Sequence, residues 1–267
     1  MAKFVPDVKT QRWVVIAPGR SDRPSQIHGE PSVCPFCLGN ENLTPPEVSR
    51  VKDGESWFVR VVPNKYPVTD THELIIHSPD HKLDLAEFPI SQVEEILKVY
   101  LARYQALSPL GQVLIFNNKG IKSGESLLHP HSQVVVFPKQ IKLDVLSLEP
   151  VRNIVFETAY FIIYCPDFSQ WPYEVWIAHK KCCQGEVINF GQTTKVELEE
   201  LAKALQKILQ KLISVFPDLS YNFYINPGAP WYLRIIPRLG ERAGLELGTG
   251  LSVNWVDPEN AAENLKK

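Results

Sequence analysis

The 267-residue chain has no apolar run as long as a membrane span. Its start, Met1-Ala2-Lys3-Phe4-Val5-Pro6-Asp7, lacks the apolar core of a secretory signal. A cytoplasmic protein with no membrane partner is expected. Charge of one sign is lacking too: 28 Lys and Arg face 30 Asp and Glu, a formal net charge of -2. Nothing global therefore draws the chain to nucleic acid or anionic lipid. Cysteine is sparse and odd in number, at five. Without an export signal this reads as reduced thiols or metal ligands rather than a disulfide framework. What remains, 44% hydrophobic and 22% charged, is ordinary globular composition, enough for one large domain or two small ones.

The most informative segment is His129-Pro130-His131-Ser132-Gln133, followed at once by Val134-Val135-Val136-Phe137-Pro138. On an extended strand, residues two apart share a face, so His129, His131 and Gln133 line one side. Pro130 stiffens the backbone between the imidazoles. The set suits a phosphate: one His to attack it, one amide to hold it, and one His to bind a metal or orient the first. Upstream, Phe116-Asn117-Asn118-Lys119-Gly120-Ile121-Lys122-Ser123-Gly124-Glu125-Ser126 is a donor-rich loop of the kind that surrounds phosphate oxygens. Asn, Lys, Gly and Ser are also what an ordinary solvated turn contains.

The chain repeats itself. Trp57–Pro67 and Glu73–Ile76 read as strand, Pro-marked turn, strand, and so do Tyr160–Phe168 and Glu174–Ile177. An amphipathic helix follows each pair, from Ser91 to Leu107 and from Thr194 to Phe216, both with the i, i+3, i+4 apolar stripe. Ser91 with Glu94, and Thr194 with Glu197, read as capping boxes. Two strands follow each helix, Val113–Asn117 with His131–Pro138, and Tyr221–Asn226 with Trp231–Pro237. Aligning Pro138 with Pro237 puts Pro230 at the place of His131 and Gly228 at that of His129. One chemical centre per chain is expected. The Gly-rich stretch Arg242–Gly250 is expected to form no helix.

Cys34-Pro35-Phe36-Cys37 has Gly29-Glu30-Pro31 before it and Pro45-Pro46 soon after, which does not fit the strand and long helix of a redox motif. A metal site would need two more ligands. His81, in His77-Ser78-Pro79-Asp80-His81, and His129 are the candidates; a buried unliganded Cys pair is the alternative. Cys165 and Cys182-Cys183 read as packing residues. His28, His72, His77 and His179 read as surface or loop residues with no evident partner.

These motifs, together with Val14–Pro24, Trp171-Pro172-Tyr173-Glu174 and Leu245-Glu246-Leu247-Gly248-Thr249-Gly250, resemble the galactose-1-phosphate uridylyltransferase family of the histidine-triad superfamily. The resemblance spans nearly the whole chain and ends in a Pro-Glu-rich C-terminal helix. It implies an α+β fold: a duplicated unit of antiparallel half-barrel sheets with packed helices. Residues 1–142 would be the catalytic half and 143–267 a degenerate second half. It implies one structural zinc on Cys34, Cys37, His81 and His129, His131 as nucleophile, and Gln133, Ser126 and Asn118 on the phosphates. Arg20 and Arg23 match arginines near the phosphates. Asn64 matches a nucleotide contact, and Glu246 matches a hexose-hydroxyl ligand supplied across a homodimer. The implied substrates are a nucleotide sugar and hexose 1-phosphate, or inorganic phosphate.

Ser132 stands where the family pentapeptide usually has Gly. Members acting on ADP-sugars often carry Ser there, so uridylyl transfer and adenylyl transfer (ADP-sugar or dinucleoside-polyphosphate phosphorolysis) stay open. A non-catalytic nucleotide-binding protein is the reading from another class. Gln133 offers no proton as a third His would, which favours a phosphate acceptor over water.

Overall fold

The computed structural model describes residues 2–7, 12–21, 33–143, 145–148 and 151–267. Two compact units emerge: Met1–Asn117 with Ser126–Leu146, and Asn118–Glu125 with Ser147–Lys267.

The first unit opens with an antiparallel hairpin, β1 (Lys3–Pro6) and β2 (Trp13–Ile16). Its main strands are β3 (Ser49–Asp53), β4 (Ser56–Pro63), β5 (His72–Ile76), β6 (Gln112–Lys119) and β7 (His131–Phe137), with helix α1 (Ile90–Leu107) between β5 and β6. They lie in the order β3-β4-β5-β7-β6, each neighbour antiparallel. The second unit has β8 (Ile154–Glu157), β9 (Phe161–Tyr164), β10 (Val175–His179), the short helix α2 (Lys180–Cys183), α3 (Lys195–Val215), β11 (Tyr221–Ile225) and β12 (Tyr232–Pro237). It ends in α4 (Gly244–Thr249) and α5 (Pro258–Lys266). Its strand order is β8-β9-β10-β12-β11, again antiparallel. The two orders correspond strand for strand, with α1 and α3 at the same step. The duplication read from the sequence is thus a duplication of topology.

β-branched and aromatic residues build these strands, as in Val59, Val61, Val62, Ile75, Ile76 and Val134–Val136. The helices bury the predicted stripes except for Leu101, which is half-buried: Val93, Ile96, Leu97, Tyr100 and Tyr104 in α1, and Leu198, Leu201, Leu205, Ile208, Leu209 and Leu212 in α3. Each buried aliphatic side chain contributes about 1.5–3 kcal/mol. In the second unit Glu174 and Arg234 form a buried two-pronged ion pair, Oε1 to Nε at 2.7 Å and Oε2 to Nη2 at 2.8 Å. The Trp176 indole N–H and the Gln170 N–H also donate to the carboxylate, so the buried charge is satisfied on every side.

Two local expectations change. Ser91 does not cap α1: Pro89 holds that position, its carbonyl taking the N–H groups of Gln92 and Val93, and the helix begins one residue earlier. The Gln92 amide meanwhile reaches the carbonyls of Phe58 and His77. Residues 244–249 are helical despite two glycines. Glu246 accepts the Ala243 N–H, the Thr249 hydroxyl donates to the Leu245 carbonyl, and Gly250 closes the turn at φ 74°. The C-terminal helix is present as α5, capped by Asp257. Among the described residues, no helix is long and apolar enough to cross a membrane.

The predicted box at Thr194 is formed. Thr194 Oγ1 accepts the Glu197 N–H, and Glu197 Oε2 accepts the Thr194 N–H at 2.7 Å. Thr194→Ala should lower stability by about 1 kcal/mol in urea unfolding, with unchanged activity.

Candidate active site and metal centre

Both sites in the first unit follow from the pairing of β5 with β7. Its register sets Ile76 opposite His131, Ile75 opposite Ser132 and Leu74 opposite Gln133. Alternation sends His131 and Gln133 to one face and Ser132 to the other. On that other face Ser132 meets α1: its hydroxyl lies 2.9 Å from His77 Nε2, and the Tyr100 hydroxyl bonds it as well. Asn117 Nδ2 donates to the His131 carbonyl at 2.9 Å. The strand that carries His131 and Gln133 is therefore braced from behind by buried polar groups.

The candidate metal ligands converge just before β7. Cys34 and Cys37 bracket a turn in which the Cys37 N–H donates to the Cys34 carbonyl, and Phe36 packs edge-on against the rings of His129 and His131. Asp80 accepts the N–H groups of Lys82 and Leu83, a tight turn that carries His81. The His129 Nε2–H donates to the Ser78 carbonyl at 2.8 Å, which leaves Nδ1 as the ligand nitrogen. His129 Nδ1 is 3.6 Å from Cys34 Sγ, 3.6 Å from Cys37 Sγ and 3.3 Å from His81 Nδ1, and Cys37 Sγ is 3.3 Å from His81 Nδ1. Two sulfurs and two nitrogens around a tetrahedral ion, at about 2.3 Å and 2.0–2.1 Å, would lie roughly 3.3–3.8 Å apart.

The donor set therefore fits a four-coordinate metal, and all four ligand atoms lie within 4.8 Å of one another. Burial pulls His129 down to about 4, so its imidazole is neutral and ready to coordinate. Burial, with Cys34 beside it, pushes the Cys37 thiol up to about 11. A thiol raised this way gives up its proton to a cation rather than to water.

Beside this cluster lies a cavity of about 270 Å³. Its walls include Val33, Phe36, Leu43, Pro45, Val62 and Leu74, and its polar lining includes Asn64, Lys65, Ser126, His131 and Gln133. The buried His131 donates Nδ1–H to the His129 carbonyl at 2.8 Å, the tautomer that in a neutral ring carries the lone pair on Nε2. Arg20 Nη1 donates to the carbonyl of Tyr66, another lining residue. His131, Gln133, Asn64 and Ser126 thus share one cavity.

Asn118 and Glu246 are not among the residues that line this cavity. Asn118 belongs to the second unit, where its Oδ1 accepts from Asn222 Nδ2 at 2.7 Å. Glu246 is exposed on α4 and caps its own helix. Arg23 and His28 lie outside the described residues.

Three histidines read as surface or loop residues are buried. His72 contacts Gln133, His77 contacts Ser132 and Tyr100, and His179 pairs with Glu197 at 3.0 Å. Their partners lie 61 residues away for His72, 55 and 23 for His77, and 18 for His179. No local spacing signals such contacts.

A family model described as galactose-1-phosphate uridyl transferase, N-terminal domain, matches residues 64–138. The ADP-glucose phosphorylase of Arabidopsis thaliana is 27% identical, covering 98% of this chain and 91% of the relative. The galactose-1-phosphate uridylyltransferase of Thermotoga maritima is 25% identical, covering 97% and 96%. A crystal structure of the Arabidopsis thaliana ADP-glucose phosphorylase with bound ADP-glucose superposes with a TM-score of 0.77 at 25% identity, over 100% of this chain and 99% of that one. The matched segment runs from Asn64 through β5, α1, β6 and β7, the same stretch that carries His81, the His pair and Gln133. With relatives matched over nearly their full length and a shared fold, this chain is similar throughout to galactose-1-phosphate uridylyltransferases and ADP-glucose phosphorylase.

Proposed function

We propose that this chain is a nucleotidyltransferase that moves a nucleoside monophosphate from a nucleotide sugar to a phosphate-bearing acceptor through a covalent His131 intermediate. The observation that carries the proposal is the tautomer of His131. Its Nδ1–H is committed to the His129 carbonyl, so the neutral ring carries its lone pair on Nε2, and that ring lines the cavity. Nε2 attacks the α-phosphorus, a P–N bond forms, and the P–O bond to the departing hexose 1-phosphate breaks. The acceptor's phosphate oxygen then attacks the same phosphorus, and the P–N bond breaks. One difficult displacement becomes two easier ones.

Such a transfer needs mainly positioning and charge neutralisation. Gln133 and Ser126 supply donors, with Arg20 and Arg23 as further phosphate ligands and Asn64 on the nucleotide. The apolar walls suit a nucleobase. Zinc on Cys34, Cys37, His81 and His129 holds the loops around β7 in place; four protein ligands leave no position for substrate. With hexose 1-phosphate as acceptor the reaction is uridylyl transfer of the galactose type. A second reading, ADP-sugar phosphorolysis with inorganic phosphate as acceptor, is favoured by the Arabidopsis thaliana relative and by Ser132. Glu246 binds hexose hydroxyls in the site of a second copy, in a homodimer.

Radiolabelled UDP-glucose and ADP-glucose, each with the α-phosphate labelled, separate the readings. Acid-labile label on the protein from one of them identifies the donor nucleotide; label from neither refutes the covalent mechanism. His131→Gly should take no label and lose at least about 10³-fold in turnover while still binding nucleotide; near-normal turnover would rule out the nucleophile. Metal analysis should find one zinc per chain. Cys34→Ser should lose the zinc and lower Tm by about 5–10 °C; protein purified without chelator and free of metal would refute the site. Glu246→Ala should impair the half-reaction with hexose phosphate much more than nucleotide binding, and sedimentation should show a dimer. A fully active monomer would overturn the shared site.

A further inference from the structure

We infer that His72 is a positioning residue that fixes which way the Gln133 amide faces, so that Gln133 presents its NH₂ group, and not its carbonyl, to the substrate phosphate. The inference rests on the proposed role of the cavity and adds a residue to it. His72 and Gln133 sit on adjacent strands of the first unit. Gln133 is directly opposite Leu74, and His72 is its diagonal neighbour on the same face, within reach of a long side chain. Both are buried, each 4% exposed.

The direction of the contact follows from donors that cannot turn. The backbone N–H of Val68 donates to His72 Nδ1 at 3.0 Å. A backbone donor has no alternative orientation, so Nδ1 accepts, and a neutral ring then carries its proton on Nε2. That Nε2 lies 3.0 Å from Gln133 Oε1, and its N–H donates there. Asn64 does not change this. Its Oδ1 is committed to the Tyr66 N–H at 2.8 Å, so the Asn64 Nδ2 found 3.1 Å from His72 Nε2 is a second donor beside the first, not an acceptor for it. The opposite His72 tautomer would set its Nδ1–H against the Val68 N–H.

An amide's two ends differ chemically and scarcely in shape, so only the network decides between them. With Oε1 held by His72, the two N–H donors of Gln133 are left for the cavity that both Gln133 and His131 line. Reversed, the amide would set a carbonyl oxygen against phosphate oxygens. That exchanges a hydrogen bond to a charged group for repulsion.

The test uses label transfer from nucleotide sugar to protein. His72→Phe keeps the ring and removes the donor; it should slow labelling by about 10–100-fold at unchanged zinc content. His72→Gln restores an amide N–H close to the place of Nε2 and should recover most of the rate. Gln133→Ala should lose about as much as His72→Phe, and the double variant no more than either, because His72 acts only through Gln133. Losses that multiply, a normal rate in His72→Phe, or no recovery in His72→Gln would overturn the assignment. The tautomer gives a reading that needs no variant: nitrogen NMR of the wild-type protein should show His72 protonated at Nε2 alone, and a proton on Nδ1 would overturn the inference. Absence of label on the wild type would refute the proposed mechanism together with this role. Label on the wild type with multiplying losses would refute His72 alone.

Discussion

The antiparallel pairing of β5 with β7 is the constraint on which the first unit's chemistry depends. It sets Ile76 against His131 and Leu74 against Gln133, and strand alternation then decides what each residue can meet. A slip of one residue would turn His131 and Gln133 toward α1 and bring Ser132 to the cavity. Buried polar contacts oppose that slip from both faces. His77, Tyr100 and Asn117 hold the strand on the helix side, and His72 holds Gln133 on the other. Each of these groups is costly to bury unpaired, so the alternative register loses several bonds at once.

The metal cluster and the cavity are joined through one short piece of backbone. His129 gives its Nε2–H to Ser78 and keeps Nδ1 for the metal, while its own carbonyl takes the Nδ1–H of His131. A metal at the cluster would therefore set the place of the carbonyl that selects the His131 tautomer. Phe36, at the centre of the Cys turn, packs against both rings and closes the same arrangement from below. Two histidines of identical chemistry, two residues apart, thus have opposite ring nitrogens committed to backbone carbonyls.

The second unit shows what the same topology becomes without that requirement. In the alignment on Pro138 and Pro237, Trp231 and Tyr232 stand where Ser132 and Gln133 do. Tyr232 stacks on Trp176 with ring centroids 4.0 Å apart, and Trp231 packs edge-on against Phe161 and Phe190. Aromatic packing occupies the strand that carries polar residues in the first unit, and the buried Glu174–Arg234 pair is locked by its own neighbours. The duplicated strand order is retained while the histidines are absent.

Sequence and tertiary structure contributed different things. Periodicity, capping pairs and turn prolines sufficed for the duplicated strand-helix-strand plan, because each is encoded within a few residues. The Cys34, Cys37, His81 and His129 set was legible as well, since ligand chemistry restricts the candidates to a few residue types. The helix at 244–249 was not legible, because side-chain caps from Glu246 and Thr249 outweighed the low propensity of its glycines. The burial of His72, His77 and His179 was not legible either. The sequence by itself determined the elements, the His pair and the ligand types. Only the tertiary structure decided which imidazole nitrogen carries a proton and which end of Gln133 is free. Those choices depend on a strand register between segments some 60 residues apart and on backbone donors and acceptors whose positions no local pattern specifies.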